Sequence, residues 1–195
     1  MPSPFSLVGR VAIVTGANTG IGQAIAVSLA EAGADIAAVG RTDPTETGEK
    51  ILATGRRFTS IAADLSSIEP VTRIISETLA ALGRADILVN NAGIIRRADA
   101  VDFTEADWDA VMDTNLKSAF FLSQAFARHC FANNQSGKIV QIASLLSFQG
   151  GIRVPSYTAA KSGLAGVTKL MANEWAAKGV NVNAIAPGYI ETNNT

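Results

Sequence analysis

Tyr157 and Lys161 stand four residues apart, and Ser144 precedes Tyr157 by thirteen residues. Because residues four apart share one face of a helix, the ammonium of Lys161 can lie near the phenol of Tyr157. A positive charge there favours the ionised phenol and lowers its pKa from the ordinary value of about 10. A serine hydroxyl can hold a substrate carbonyl oxygen while the tyrosine donates or takes the proton. The three residues therefore predict a site of acid–base catalysis.

A glycine-rich segment near the amino terminus supports this interpretation, since Tyr-x-x-x-Lys alone also occurs by chance in helices with a solvated lysine. The apolar run Val11–Val14 is typical of a buried strand, and the segment Thr15–Gly22 and a helical pattern through Ala32 follow it. Glycines leave room for a pyrophosphate, which the N–H groups at the start of the helix attract. The spacing is G-x-x-x-G-x-G rather than G-x-G-x-x-G, and a tightly packed structural turn is the alternative.

The composition is typical of one α/β domain that spans residues 1–195. The chain is 48% apolar and 17% charged with a net charge of −1, which argues against a basic nucleic-acid surface. Cys130 is the single cysteine, and no His, Cys or carboxylate group has metal-ligand spacing, so we expect no disulfide and no metal. We find neither a signal peptide nor a membrane-spanning stretch, and the expected location is the cytoplasm.

Apolar runs of strand type alternate with helical patterns, which predicts βαβ units and a doubly wound parallel sheet. Long helices are expected at about 114–133 and 157–178. Ser66–Glu69 has the pattern of a capping box at a helix start, and Thr104–Asp107 is expected to cap another helix. The predicted strands are 10–15, 35–40, 58–62, 86–90, 138–143 and 181–186.

The segments with chemical potential all follow predicted strands. Gly16 ends the first strand, Asn90–Gly93 end the fourth, Ser144 ends the fifth, and Pro187–Gly188 end the sixth. Ligands of such sheets bind beyond the carboxyl ends of the strands, where the strand order reverses. We therefore expect one functional site at that edge.

These motifs, in this order, resemble those of the short-chain dehydrogenase/reductase family over nearly the whole chain. The resemblance implies a Rossmann-type fold and hydride transfer between NAD or NADP and a carbinol or carbonyl carbon. It implies that Tyr157 exchanges the proton, Ser144 positions the substrate oxygen, Lys161 polarises Tyr157 and holds the ribose, and Asn115 carries a water relay. It also implies that the protein is a tetramer or dimer. Members of the family usually have a further C-terminal part of the fold, which we expect to be absent from this chain.

The resemblance further implies a set of cofactor contacts. Arg41 stands where NAD-selective members carry an acid for the ribose 2′-hydroxyl; an arginine can pair a 2′-phosphate instead, so we expect use of both cofactors. Asn91 is expected beside the adenosine ribose or as a turn residue, and Asp64 at the adenine or as a helix-start acid. The implied cofactor residues are Gly16, Asn18, Thr19, Gly20, Ile21, Gly22, Arg41, Asp64, Leu65, Asn91, Ala92, Gly93, Tyr157, Lys161, Pro187, Gly188, Ile190 and Thr192.

Within the family, segments 91–97, 147–157 and 172–195 are similar to those of sugar-acid dehydrogenases that act on 2-dehydro-3-deoxy-D-gluconate or 2-deoxy-D-gluconate. A substrate carboxylate is then expected on Arg96 or Arg153, because a guanidinium can bind it with two parallel hydrogen bonds. Gln149 is a further candidate contact, and a surface ion pair is the alternative for each arginine. The alternative functions are a 3-oxoacyl-thioester reductase and a non-catalytic cofactor-binding scaffold.

Overall fold

The computed structural model describes residues 4–191, in which strands and helices alternate as the sequence predicts. The strands are β1 (Val11–Thr15), β2 (Asp35–Gly40), β3 (Phe58–Ala62), β4 (Ile87–Asn90), β5 (Gly137–Ile142) and β6 (Val180–Ile185). The helices are α1 (Gly20–Glu31), α2 (Thr45–Ala53), α3 (Val71–Leu82), α4 (Glu105–Met112), α5 (Ser118–Ala132), α6 (Leu146–Gln149) and α7 (Pro155–Trp175).

All six strands lie in one parallel sheet in the order β3-β2-β1-β4-β5-β6. The order reverses between β1 and β4, where Ala12 pairs with Ile36 on one side and Ile87 on the other. The predicted Rossmann-type fold is confirmed, and each predicted strand lies within one residue of an observed one. The reversal defines the crevice in which such sheets bind ligands.

The central strands β1, β2 and β4 are buried on both faces, which explains why they are largely apolar runs, whereas the edge strands β3 and β6 have exposed positions. Successive residues of β1 illustrate this, because Ile13 packs into one cluster and Ala12 into the other. Phe126 of α5 and Met171 of α7 are fully buried against the first face, and Ala26 of α1 against the second. Helices on both faces thereby fix the ends of the strands relative to one another.

The two predicted helix starts have different outcomes. Thr104 caps α4 as predicted, since its hydroxyl accepts a 3.2 Å hydrogen bond from the backbone N–H of Asp107. The Ser66–Glu69 prediction is wrong, because α3 begins only at Val71 and residues 66–69 form a turn. Pro70 disfavours helical backbone in the residue before it, so the helix cannot extend back through Glu69.

The predicted helix at 114–133 is interrupted near its start. A π-helical turn, Asp113–Lys117, joins α4 to α5 and carries the buried residue Asn115. Wide turns of this kind often occur at functional sites. The predicted helix at 157–178 corresponds to α7, which begins at Pro155, followed by a 3₁₀ turn, Ala176–Lys178. Within residues 4–191, no helix combines the length and apolar character needed to cross a membrane.

Candidate active site

A cleft of about 770 Å³ opens at the carboxyl edge of the sheet, where the strand order reverses. Its walls come from the segments that follow β1, β4, β5 and β6 and from the first turns of α7. The lining residues are Gly16, 18–22, 91–95, Arg97, 142–146, 149–152, Val154, Tyr157, Lys161 and 187–190. Segments far apart in sequence therefore meet in one site, as the positions of the motifs predict.

Most of the predicted site residues lie on this cleft. Ser144, Tyr157, Lys161 and Gln149 line it, together with the predicted residues of the glycine turn, of 91–93 and of 187–190. Thr192 lies outside the described residues. The predicted residues that do not line the cleft are Arg41, Asp64, Leu65, Arg96, Asn115 and Arg153.

The glycine turn brings α1 against the end of β1 more closely than any side chain would allow. A Cβ on Gly22 would lie 2.0 Å from the carbonyl oxygen of Gly16, and Gly16 itself has a φ of +64°. Thr19, the residue before α1, makes no side-chain capping bond to the N–H groups of the first turn. Gly20, Ile21 and Gly22 line the cleft at that turn. These features fit a pyrophosphate, which needs close backbone approach and N–H donors.

Helix α2 holds the glycine turn from outside the cleft. The Thr47 hydroxyl, which is fully buried, donates to the carbonyl oxygen of Ala17 at 2.8 Å and accepts from the Gln23 side chain at 2.9 Å. The Gln23 amide also donates to the carbonyl oxygen of Asn18 at 3.3 Å. The turn is therefore pre-formed by hydrogen bonds that the sequence motif does not contain.

Asn91 ties the segment after β4 to the glycine turn. Its side-chain amide donates to the carbonyl oxygens of Thr15 at 3.0 Å and Gly16 at 3.2 Å. In return, the Thr15 hydroxyl accepts from the backbone N–H groups of Asn91 and Ala92, both at 3.0 Å. Asn91 thus satisfies local backbone, as one of its two predicted roles requires, and it also lines the cleft.

Lys161 and Tyr157 lie on one face of α7, with the Lys161 Nζ 5.6 Å from the centre of the Tyr157 ring. The ammonium is buried and donates to the carbonyl oxygen of Ile142 at 2.5 Å. Burial lowers the pKa of Lys161 to about 8. Burial also raises the pKa of Tyr157 above its ordinary value, and a hydrogen bond with Ser144 opposes that shift. The expected lowering of the Tyr157 pKa by Lys161 is not found, because burial is the main influence on the phenol and the opposing contribution comes from Ser144.

Asn115 stands behind the cleft wall rather than on it. Its side-chain oxygen accepts from the backbone N–H of Ile94 at 2.8 Å, and its amide nitrogen donates to the Ile94 carbonyl oxygen at 2.9 Å. The residue is 1% exposed. This paired contact fixes Ile94, which lines the cleft, and a water relay through Asn115 remains a prediction.

Arg41 and Asp64 follow the neighbouring strands β2 and β3. Asp64 accepts a 2.9 Å hydrogen bond from the backbone N–H of Ser66. This bond lowers the pKa of Asp64, and the charge of Arg41 lowers it further. Asp64 therefore stabilises a turn, and the alternative role of a helix-start acid is wrong because α3 begins only at Val71. Leu65 beside it is buried. Contacts of Arg41, Asp64 and Leu65 with a cofactor remain predictions.

The two arginines expected to hold a substrate carboxylate form ion pairs with aspartates of the chain instead. Arg96 pairs with Asp107 at 3.2 Å, and Arg153 pairs with Asp99 at 3.0 Å. Neither lines the cleft, so the geometry does not support this expectation, and the surface ion pair is observed for both. Arg97 lines the cleft instead. The sequence signal for Arg97 is its position next to Arg96, and adjacency alone does not tell which of the two arginines lines the cleft.

Comparisons with known proteins point to one family. A family model described as short chain dehydrogenase matches residues 10–195. The 2-dehydro-3-deoxy-D-gluconate 5-dehydrogenase of Escherichia coli is 60% identical over 193 residues, 99% of this chain and 76% of that protein. A crystal structure from Agrobacterium tumefaciens, described as a candidate 2-deoxy-D-gluconate 3-dehydrogenase with bound NADP, is 61% identical, with a TM-score of 0.91 over 98% of this chain and 76% of that one. A 3-oxoacyl-acyl-carrier-protein reductase of Vibrio cholerae is 40% identical over 193 residues, 98% of this chain and 78% of that protein.

Proposed function

The chain belongs to the short-chain dehydrogenase family, and from that premise we propose that it is an NAD- or NADP-dependent oxidoreductase of a small sugar acid. One observation carries the proposal. Ser144, Tyr157 and Lys161 line the same cleft as a glycine turn that is pre-formed for a pyrophosphate. A proton-transfer group and a dinucleotide cradle in one cleft are the parts that hydride exchange with an alcohol or ketone requires.

The proton chemistry belongs to Tyr157. Because burial raises its pKa, the phenol stays protonated near neutral pH and can donate to a substrate carbonyl oxygen. The Ser144 hydroxyl, which lies beside the phenol, positions that oxygen. Lys161, 5.6 Å from the ring centre, supplies a positive charge that stabilises the negative charge left when the phenol gives up its proton. In the reverse direction the same phenolate takes the proton of the alcohol.

A bound nicotinamide supplies or accepts the hydride, and the chain supplies its orientation. The N–H groups at the start of α1 would hold the pyrophosphate, and Pro187–Gly188 would cover the nicotinamide side, since they line the same cleft as the catalytic residues of α7. Asn115 contributes by holding Ile94 in the cleft wall. We therefore assign it a positioning role.

The proposed substrate is a sugar acid of the 2-dehydro-3-deoxy-D-gluconate or 2-deoxy-D-gluconate type. Support comes from relatives with those names at 60% and 61% identity over nearly the whole chain. The relative named as an acyl-carrier-protein reductase is less similar, at 40%. A 3-oxoacyl-thioester reductase is therefore the second candidate. On the family resemblance alone we also propose a cytoplasmic homo-oligomer, a tetramer or dimer.

A substrate screen tests the proposal directly. The protein is incubated with NAD or NADP and a panel of sugar acids, and with NADPH and a 3-oxoacyl thioester, while absorbance of the reduced nicotinamide is followed. We expect turnover of a 3-deoxy or 2-deoxy sugar acid at least tenfold more efficient than that of the thioester. Turnover of the thioester alone would favour the second candidate, and cofactor binding without any turnover would favour a scaffold.

A further inference from the structure

We infer that Arg97 binds the carboxylate of the substrate and so selects sugar acids over uncharged alcohols, an inference that rests on the proposed function. The charge of the cleft is the first observation. Among residues 4–191, the charged side chains that line it are Arg97 and Lys161, and no carboxylate does. An anionic group is therefore attracted into this cleft and meets no like charge there.

Lys161 is not the partner of a substrate carboxylate. Its ammonium is buried, with 4% exposure, and already donates to the carbonyl oxygen of Ile142 at 2.5 Å. It also lies beside the Tyr157 ring, where its charge serves proton transfer. Arg97 is exposed and makes no ion pair or hydrogen bond to any other residue from 4 to 191. Its five N–H donors remain available to a ligand.

The neighbouring arginines provide the contrast. Arg96 and Arg153 are held by Asp107 and Asp99 and stand off the cleft. A guanidinium already paired with a carboxylate has less to offer a second one, because the charge is largely compensated. Of the three arginines around the mouth of the site, Arg97 is the one that both lines the cleft and lacks a carboxylate partner within the described chain.

The backbone on either side of Arg97 is fixed at two points. On the amino side, Ile94 is held by the Asn115 amide at 2.8 and 2.9 Å. On the carboxyl side, the N–H of Ala98 donates to the carbonyl oxygen of Arg153 at 3.1 Å. The second bond joins the Arg97 segment to the loop that leads into α7 and Tyr157. The segment of Arg97 is therefore hydrogen-bonded to the loop before the catalytic helix α7, whereas the glycine turn follows a different strand, β1.

This placement gives the carboxylate a defined role in catalysis. A guanidinium fork binds a carboxylate with two parallel hydrogen bonds, which fixes the orientation of the acid as well as its position. With the carboxylate held on Arg97, the reacting hydroxyl of the same small molecule is directed toward Ser144 and Tyr157. A thioester substrate has no carboxylate to place there, so the residue separates the two candidate substrate classes.

The test compares Arg97→Gln with Arg96→Gln, a matched control at the adjacent residue. Each variant is assayed with the sugar acid and with its analogue in which a primary alcohol replaces the carboxylate, and cofactor affinity is measured by fluorescence titration. Because a hydrogen bond to a charged group contributes about 1.5–3 kcal/mol, Arg97→Gln should lower kcat/KM for the acid about 10- to 100-fold. It should change kcat/KM for the alcohol less than threefold, as a rough bound. Arg97→Lys should give a kcat/KM for the acid between those of wild type and Arg97→Gln, because lysine keeps the positive charge and lacks the guanidinium fork.

The inference is overturned, while the proposed function stands, if Arg97→Gln leaves the ratio of kcat/KM for acid and alcohol at its wild-type value. Weaker cofactor binding by Arg97→Gln would also overturn it, because Arg97 would then be a cofactor contact. An effect of Arg96→Gln equal to that of Arg97→Gln would also overturn it. A wild-type protein that turns over no sugar acid is a separate result, which overturns the proposed function and this inference together.

Discussion

The ammonium of Lys161 lies 2.5 Å from the carbonyl oxygen of Ile142, the last residue of β5. This bond ties the catalytic helix α7 to the edge of the sheet, and it places a charge where burial disfavours one. The pKa of Lys161 falls to about 8 for that reason. The geometry that brings the charge close to Tyr157 therefore costs stability.

Lys161→Met should reveal this cost in the pH dependence of unfolding. The folded wild type binds the Lys161 proton less tightly than the unfolded chain, so its free energy of unfolding gains a contribution as pH rises from about 8 toward 10.5. The methionine variant lacks that contribution. Any excess of its free energy of unfolding over that of wild type at pH 7 should therefore be smaller at pH 9.5. Urea unfolding at both pH values measures it, with Lys169→Met on the exposed face of α7 as the control. A difference between Lys161→Met and wild type that stays constant with pH would contradict the prediction.

Gly22→Ala should damage the cofactor cradle. The new methyl group would lie 2.0 Å from the carbonyl oxygen of Gly16, so α1 must move away from β1. We expect a loss of about 1–3 kcal/mol in the free energy of unfolding, as for other overpacked sites, together with weaker cofactor binding. Thermal melts and cofactor titration are the measurements.

Gly166→Ala is the matched control for this change. Gly166 lies inside α7, and a methyl group there would meet no atom within 4 Å apart from its chain neighbours and the nearby backbone of its own helix. Because glycine disfavours a helix interior by roughly 0.5–1 kcal/mol relative to alanine, this variant should be as stable as wild type or more so. Equal behaviour of the two variants would refute the packing argument for Gly22.

Arg41→Ala tests the preference between NAD and NADP. If Arg41 pairs a 2′-phosphate, its loss should raise the KM for NADPH about tenfold and leave the KM for NADH nearly unchanged. Arg128→Ala, an exposed arginine of α5, is the control. Steady-state kinetics with both cofactors decide the matter, and equal changes in the two KM values would rule out the contact.

The central strands β1, β2 and β4 could be predicted from the sequence because parallel strands buried on both faces are largely apolar, and Gly16, Arg41 and Asn91 follow them. Helix boundaries depended on subtler features. Pro70 displaced the start of α3 from the Ser66–Glu69 pattern. The π turn at Asp113–Lys117 has no periodic signature, since it adds a residue to a single turn of an otherwise regular helix.

In the site, too, local features could be predicted from the sequence, whereas features that depend on tertiary packing could not. Glycine spacing and the Tyr157–Lys161 pair located the cleft, because backbone approach and helical spacing are local properties. Which arginine lines the cleft is not determined by the local sequence. Arg96 pairs with Asp107 and Arg153 with Asp99, and those pairings depend on how α4 and the loop before α7 pack. The sign of the Tyr157 pKa shift was missed for a similar reason, since burial cannot be read from the spacing of two residues.

The proton-transfer role of Tyr157 is tested most directly by Tyr157→Phe, which removes one hydroxyl and leaves the ring. Tyr189→Phe is a close control, because Tyr189 also lines the cleft but is 85% exposed and has no assigned chemistry. With the sugar acid and its preferred cofactor, Tyr157→Phe should lower kcat by roughly 10²–10⁴-fold while cofactor affinity is kept, and Tyr189→Phe should stay within a few-fold of wild type. A Tyr157→Phe rate within a few-fold of wild type would contradict the account.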